Sequence, residues 1–205
     1  MAEPEEAESR RDTDKRRRIL DAALGVFAEY GVHGTAVPPI AEAAGVAVGT
    51  LYRYFASKED LVNAVFRDTK TRLGEHLLNG VEQEGDPRAL FVTLWDRLVD
   101  FARQEPQAFR FLEMQDHARY LDDASRGTEK ELLGPLNRMV AAGQQAGVFH
   151  PGLRADVAIA LFWGAVVGLF KAERDGYLEL GKDDLDAARR ACWQALATPG
   201  TGETP

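Results

Sequence analysis

Residues 35–61 contain two short helical segments separated by only three residues, in the sequence TAVPPIAEAAGVAVGTLYRYFASKEDL. The first segment includes residues 40–44 and ends at Gly45, and the second covers residues 48–55. Two short helices joined by a three- or four-residue turn that contains glycine are typical of a helix-turn-helix. Glycine suits such a turn because the residue that closes a helix often adopts a left-handed conformation. The stretch therefore predicts a helix-turn-helix.

The two helices have an apolar side and a polar side. The apolar side is expected to pack inward and consists of Ile40, Ala41, Ala44, Val46, Leu51 and Phe55. Thr50, Tyr52 and Arg53 are then left to face outward. A hydroxyl, a phenol and a guanidinium on one face suit the phosphates and base edges of DNA. The second helix is therefore the predicted DNA-reading element, and Tyr54 is interpreted as a packing aromatic.

Three runs of residues carry a resemblance to a known family. IL-x-AAL-x-VFAEYG from Ile19, IAEAAGVA-x-GTLYRYF from Ile40 and SKEDL from Ser57 resemble the N-terminal domain of the TetR family of transcriptional regulators. The resemblance implies an all-α fold of about nine helices. In such a fold a three-helix helix-turn-helix domain precedes a larger helical domain for effector binding and dimerisation.

The resemblance also implies which side chains contact DNA. Tyr52 and Lys58 are expected at phosphates, and the base edges are expected beside Val48, Gly49, Thr50 and Arg53. Two positions depart from the family pattern, since Ala36 and Ala47 stand where a hydroxyl residue often caps the helix. Thr35 is the expected substitute at the first of these positions, both as a cap and as a DNA contact.

Six basic residues lead into the first helix, which is expected from about Asp14 to Tyr30: Arg10, Arg11, Lys15, Arg16, Arg17 and Arg18. One interpretation is a solvated helix start. The other is a basic arm that touches the DNA backbone or the minor groove. The sequence leaves both open.

The charge distribution is compatible with DNA binding at one end of the chain. The net charge is −8, yet residues 10–72 carry 11 Lys and Arg against 8 Asp and Glu. Residues 73–205 carry 14 Lys and Arg against 21 Asp and Glu. The pattern predicts a basic head on an acidic body, which can present a DNA-binding surface despite the overall sign.

No stretch beyond the head shows sustained strand alternation, so the body is predicted to be helical. The predicted organisation has four parts: a disordered tail at 1–12, the helix-turn-helix domain at 13–60, the effector-binding and dimerisation domain at 61–198, and a disordered tail at 199–205. The N-terminus MAEPEEAESRR is too acidic and polar for a secretory signal. No apolar run is expected to reach the roughly 18 residues of a membrane span. The predicted location is the cytoplasm, with no membrane partner.

A helix expected from Arg154 to about Gly176 is apolar on nearly every side. Small residues recur along it at four-residue steps, which lets another helix come close. Packing within the chain explains this ridge, and so does a four-helix bundle formed by two copies. We prefer the dimer, to which the resemblance also points, with an interface at Ala160, Gly164, Val167, Gly168, Ala188 and Cys192. Burial as a small hydrophobe is the alternative for the cysteine.

Large aromatic and soft side chains are frequent in the body. A packed core explains each one singly. As a set, interleaved with Glu113, Asp116 and Arg119, they predict a cavity for a bulky, largely apolar effector. The predicted lining comprises Phe91, Trp95, Phe109, Met114, His117 and Trp163.

The leading hypothesis is a homodimeric DNA-binding regulator, a repressor that leaves a palindromic double-stranded operator when a small molecule binds its body. An all-helical enzyme with a helix-turn-helix head and a protein-interaction module are the alternatives. The sequence has no nucleophile–base spacing, metal-ligand cluster or glycine-rich phosphate loop. The chain is therefore predicted not to be an enzyme and to need no metal or cofactor. The single cysteine excludes an internal disulfide framework.

Overall fold

The computed structural model describes residues 4–81, 85–114 and 117–199, with side chains from residue 10 onward. Within these residues the chain is helical, which confirms the predicted all-α fold. A short 3-10 helix, Ala118–Tyr120, accompanies nine α-helices. The α-helices are α1 Pro4–Gly34, α2 Val37–Ala43, α3 Val48–Tyr54, α4 Lys58–Leu78, α5 Pro87–Gln104, α6 Pro106–Met114, α7 Asp123–Gln145, α8 Ala155–Arg174 and α9 Lys182–Leu196.

Helix α1 begins at Pro4, ten residues before the expected start at Asp14. The prediction of a disordered tail is therefore wrong for residues 4–12, and residues 1–3 lie outside the described part of the chain. Proline suits the first helical turn, and this local signal favours a helix start at Pro4 without any apolar periodicity. Gly31, at φ 74°, interrupts α1 at the predicted position.

Helices α2 and α3 form the predicted helix-turn-helix. Gly45 adopts φ 65° between them, a conformation that favours glycine. The backbone N–H of Val46 donates to the carbonyl of Ala41 over 2.9 Å and closes the turn. Leu51 is fully buried and Phe55 nearly so, which confirms the predicted inner side of α3.

Helix α4 has a side-chain cap at its N-terminus. The backbone N–H of Asp60 donates to the Ser57 hydroxyl over 3.0 Å. The Asp60 carboxylate accepts from the N–H of Ala56 over 3.1 Å, one residue before the position that a standard capping box uses. The helix ends at Leu78. Asp86 caps α5, and its carboxylate accepts from the N–H of Ala89 over 3.1 Å.

Helix α6 covers Pro106–Met114. Helix α7 continues through Pro135, although proline removes a backbone donor from a helix interior.

The chain forms two compact units, and the division falls within α4 and α7. Unit 1 comprises Met1–Arg72 and Glu105–Glu129, and unit 2 comprises Leu73–Gln104 and Lys130–Pro205. The predicted domain boundary at residues 60 and 61 does not coincide with this division, because most of α4 belongs to the same unit as the helix-turn-helix.

A buried polar residue holds α4 in unit 1. Asn63 is only 4% exposed, yet its amide is fully hydrogen-bonded. Its Nδ2 donates to the carbonyls of Glu59 over 2.9 Å and Tyr120 over 2.7 Å. Its Oδ1 accepts from the N–H of Asp122 over 2.9 Å and from the Ser125 hydroxyl over 2.7 Å. One side chain therefore ties α4 to the segment that starts α7.

Replacing Asn63 with leucine is expected to lower the free energy of unfolding by about 2–4 kcal/mol. Leucine has a similar volume but leaves the Tyr120 carbonyl and the Asp122 N–H without these partners. Thermal unfolding followed by circular dichroism measures the effect. Asn79→Leu, at an exposed position, is the matched control. Equal melting temperatures for the Asn63 variant and the wild type would contradict the role of this residue.

Unit 2 has an aromatic core between α5, α8 and α9. The ring of Phe91 lies 5.5 Å from that of Phe162 and 5.2 Å from that of Trp193, both edge-on. Arg103 on α5 binds Glu173 on α8 through two hydrogen bonds of 2.7 and 3.0 Å. These contacts hold the inner side of α8.

Candidate nucleic-acid interface and effector cavity

The outward side of α3 carries the predicted DNA-reading residues. Tyr52 is 47% exposed and Val48 37% exposed, although both are large apolar or aromatic side chains. Arg53 is exposed, and Thr50 is half-buried. Gly49 is also exposed, with open space where a side chain would stand. The α3 surface, which we define as Val48, Gly49, Thr50, Tyr52 and Arg53, therefore offers a guanidinium, a phenol and an accessible backbone to solvent.

The N-termini of α2 and α3 lack side-chain caps, as the alanines at these positions predict. Ala36 and Ala47 stand at the N-caps, and neither makes a side-chain capping hydrogen bond. Thr35 does not substitute, since it is only 6% exposed and its hydroxyl donates to the Gly31 carbonyl over 2.7 Å. The expectation that Thr35 caps α2 is therefore wrong, and its inward position does not favour a contact with DNA.

Two further residues lie at the edge of this surface. Lys58 is half-buried in the first turn of α4, where its charge opposes the helix dipole. A phosphate near that turn would offset this cost, so a phosphate contact stays the prediction for Lys58. Tyr54, expected to pack, is half-buried and donates its hydroxyl to the carboxylate of Asp12 on α1. That hydrogen bond is the main cause that raises the pKa of Tyr54.

The basic run on α1 is partly engaged within unit 1. Arg17 pairs with Asp68 on α4 at 2.8 Å and with Asp21 on its own helix at 2.9 Å. The guanidinium of Arg16 lies 5.3 Å from the centre of the Phe55 ring. The contacts with Asp68 and with Phe55 have no signal in the local sequence, because both partners are distant in the chain.

An apolar cavity of about 80 Å³ lies within unit 2. Its lining has no charged residue. It is formed by Leu77, Pro87, Leu90, Phe91, Leu94, Leu136, Met139, Val140, Phe149, Ala158, Ile159, Phe162 and Leu196. Burying a charge beside such a surface is costly, so the cavity suits an uncharged hydrocarbon group.

The structure brings together only part of the predicted effector lining. Of the six predicted residues, Phe91 lines the cavity. Trp95 and Trp163 belong to unit 2 but are not among its lining residues. Phe109, Met114 and His117 belong to unit 1, where His117 lies between the rings of Phe66 and Phe111 at 5.0 and 4.8 Å. Asp116, expected as a polar anchor, lies outside the described residues.

Aliphatic residues of the lining were missed because an aliphatic stripe on a helix does not distinguish a cavity wall from a filled core. Leu90 and Leu94 on α5 lie on such a stripe. The space beside them depends on how α7 and α8 pack, which has no signal in the local sequence.

The outer side of α8 is an exposed apolar surface. Val157 is 39% and Leu161 48% exposed. Ala160, Gly164 and Gly168 are exposed beside them, and a side chain built at either glycine would meet nothing within 4 Å. We call these five residues the α8 ridge.

The other predicted interface residues are less accessible. Val167 and Ala188 are half-buried. Cys192 is buried inside the protomer, where desolvation raises the pKa of its thiol to about 11. It therefore does not lie on the exposed face of α9.

Helix α8 is long and apolar enough to cross a membrane by length and composition, so the expectation that no run reaches this length is wrong. Only 17% of this stretch is buried. A single helix of this kind is weak evidence for a membrane span, because helices of soluble proteins pass the same criterion. The finding does establish that α8 has an apolar surface that the described part of the protomer leaves exposed to solvent.

Comparisons with known proteins cover both parts of the chain. Residues 19–65 match the sequence profile described as "Bacterial regulatory proteins, tetR family". Residues 66–198 match the profile described as "Tetracyclin repressor-like, C-terminal domain".

Relatives and solved structures agree with these profiles. The HTH-type transcriptional regulator RutR of Escherichia coli (strain K12) is 33% identical over 145 residues, 70% of this chain and 68% of the relative. The "Fatty acid metabolism regulator protein" of Bacillus subtilis (strain 168) is 25% identical over 154 residues, 74% of this chain and 79% of the relative. The crystal structure of a TetR family transcription regulator from Marinobacter aquaeolei VT8 aligns with a TM-score of 0.82 at 25% identity, over 92% of this chain and 98% of that one. With its helix-turn-helix head and helical body, the chain belongs to the TetR family of DNA-binding transcriptional regulators.

Proposed function

We propose that this regulator is a homodimeric repressor that reads a palindromic operator with α3 and leaves it when an apolar small molecule occupies the cavity of unit 2. The observation that carries the proposal is the α3 surface, where Tyr52 and Arg53 face solvent while Leu51 beneath them is fully buried. Arg53 would pair with guanine, which a bidentate guanidinium recognises in the major groove. Tyr52 and Lys58 would bind phosphates, which set the position of the helix on the duplex.

The α8 ridge supports the homodimer. Exposed leucine and valine beside exposed glycine form a surface that a second helix can approach closely, and a second copy of α8 offers the same surface about a two-fold axis. With α9, the two copies would form a four-helix bundle. Two α3 helices would then read half-sites about one helical turn apart, roughly 34–36 Å.

The cavity supports an effector with an uncharged hydrocarbon part. Its lining is apolar throughout, so binding would depend on the burial of hydrocarbon, about 0.8 kcal/mol for each CH₂ group. The name of the Bacillus subtilis relative, a fatty acid metabolism regulator, agrees with an acyl chain. We propose an acyl chain or a similar hydrocarbon as the effector group.

Helix α4 would connect effector binding to the head. Leu77 near its C-terminal end lines the cavity, and Asn63 near its N-terminal end is fixed within unit 1. Movement of this helix on effector binding would change the distance between the two α3 helices and shift the population away from the DNA-competent spacing.

Release from DNA is expected to depend on acyl chain length. A series of coenzyme A esters of increasing acyl chain length, added to the protein–operator complex, should release DNA at concentrations that fall with each added CH₂ group until the chain fills the cavity of about 80 Å³. Ala158→Leu fills part of the cavity and should weaken this response about fivefold or more, since excess volume in a packed site costs about 1–3 kcal/mol. Fluorescence anisotropy of the labelled operator measures both effects.

The control for that variant is Ala141→Leu, an exposed position on α7. It should respond like the wild type. A response that is independent of chain length, or equal in both variants, would place the effector elsewhere.

The predictions that the chain is not an enzyme and acts in the cytoplasm remain proposals. The relatives named above are regulators, and a regulator of chromosomal genes works in the compartment that contains the chromosome. An enzyme carrying a DNA-binding head, or a protein-interaction module using the α8 ridge, would also bind DNA or associate, but neither needs release by an apolar molecule.

The test of the function is binding to a fluorescent duplex that covers the region upstream of the gene itself, with a scrambled duplex as control. Preference for the native duplex and a steep fall of affinity with salt would support the proposal. If that region fails, a selection from random duplexes follows. Failure of that selection, with and without acyl esters, would overturn it.

A further inference from the structure

Helix α1 extends about four turns beyond the part that matches the family. The profile of the family head begins at residue 19, whereas α1 begins at Pro4. At 1.5 Å per residue this extension is roughly 22 Å long. It is therefore an element of this chain whose role the family match does not assign.

The extension is fixed to α3 and α4 by side chains on two of its sides. Towards α3, Asp12 accepts the hydrogen bond of the Tyr54 hydroxyl, and Arg16 lies over the Phe55 ring at 5.3 Å. Towards α4, Arg17 pairs with Asp68 at 2.8 Å. The extension is thus held as a helix against the C-terminal end of the DNA-reading helix.

A basic stripe occupies the third side. Arg11, Lys15 and Arg18 are spaced by four and three residues, so they lie along one side of the helix. That side is turned by roughly 110–130° from both the Asp12–Arg16 side and the Arg17 side, at 100° per residue. Arg11 and Arg18 are exposed and Lys15 half-buried. None of the three forms an ion pair within the described residues.

One end of the stripe lies near the C-terminal end of α3. Tyr54 lies within the electrostatic reach of both Arg18 on α1 and Arg53 on α3. Arg18, one member of the stripe, therefore lies near the C-terminal end of the DNA-reading helix.

We propose that Arg11, Lys15 and Arg18 form a second DNA-contacting surface, which binds backbone phosphates beside those bound by α3. The proposal rests on DNA binding by α3. The contact is to phosphates and not to bases in the minor groove, because an α-helix is about 10–12 Å wide with its side chains, and the minor groove is only about 6 Å wide. Asp12 acts as a positioning residue, since it fixes the stripe to α3 through Tyr54.

The experiment is a salt titration of operator binding by the full-length protein. Each phosphate contact contributes about 0.9 to the slope of log K against log salt. The triple variant R11A/K15A/R18A should therefore lose up to about 2.7 from the slope for each protomer. Its affinities for operator and scrambled duplex should fall by the same factor, because phosphate contacts carry no sequence information.

The control triple R126A/K130A/K182A removes the same charge at exposed positions outside the stripe and should keep the wild-type slope. Tyr54→Phe removes the hydrogen bond to Asp12 without changing charge, and should lower the slope in the same direction with a melting temperature near that of the wild type.

Wild-type affinity and slope in the stripe variant would overturn the inference while leaving the α3 proposal intact. A selective loss of preference for the operator would also overturn it, since that result indicates base contacts. Absence of operator binding by the wild type would overturn both the proposed function and this inference.

Discussion

Arginine 53 replaced by alanine is expected to reduce operator affinity by about 1–3 kcal/mol for each protomer, or at least roughly 30-fold for a dimer with two such contacts. The reason is that Arg53 is exposed on α3, and the proposed function has its guanidinium pair with guanine. Preference for operator over scrambled duplex should shrink with the affinity, because a base contact carries sequence information. Fluorescence anisotropy with both duplexes measures the two quantities.

A comparison with Tyr52→Phe separates base from phosphate contacts. Loss of the Tyr52 hydroxyl should weaken binding to both duplexes equally. Arg126→Ala, an exposed arginine on α7, serves as the matched control for charge. Melting temperatures should not change, since Arg53 and Tyr52 are not part of the core. An Arg53→Ala protein that keeps its operator preference would rule out this residue as the source of specificity.

The second large effect is expected at the α8 ridge. Gly164→Arg should raise the dimer dissociation constant at least about 100-fold, because an unpaired buried charge at an interface costs about 2–5 kcal/mol. The protomer itself should tolerate the change, since a side chain at this position meets nothing within 4 Å and glycine is the poorer helix former. Analytical ultracentrifugation over a concentration series gives the dissociation constant directly.

Gly127 provides the control, because it is also in a helix and a side chain built there meets nothing within 4 Å. It tests whether any new arginine raises the dimer dissociation constant. Gly127→Arg should remain dimeric. Operator binding by the Gly164 variant should weaken in parallel with dimer dissociation, because a monomer reaches only one half-site. A dimeric Gly164→Arg protein would show that the α8 ridge is covered in some other way, including by a partner protein or a lipid surface.

The helix-turn-helix could be predicted in detail because its signals are local. Gly45 at the turn and the spacing of Leu51 and Phe55 each act within a few residues. Capping and periodicity depend on neighbouring positions in the chain, so the sequence contains the information needed to place them. The missing caps at Ala36 and Ala47 were predicted for the same reason.

The sequence predicted an apolar effector site, but it did not predict most of the residues that line the cavity. Aromatic residues indicated an apolar pocket, and an apolar cavity is present, yet of the predicted lining residues only Phe91 contributes to it. The reason is that a cavity is the space left between packed helices, and a residue's type does not say whether its neighbour fills that space.

By itself, the sequence determined the helical class, the family, the outward residues of α3 and the turn between α2 and α3. Tertiary structure decided that Thr35 turns inward, that Asn63 anchors α4, that Cys192 is buried, and that Asp12 binds Tyr54. Each of these depends on a partner brought close by folding or on the packing of whole helices. Periodicity and capping fix which side of a helix is buried, but only the packed helices fix what each side chain meets.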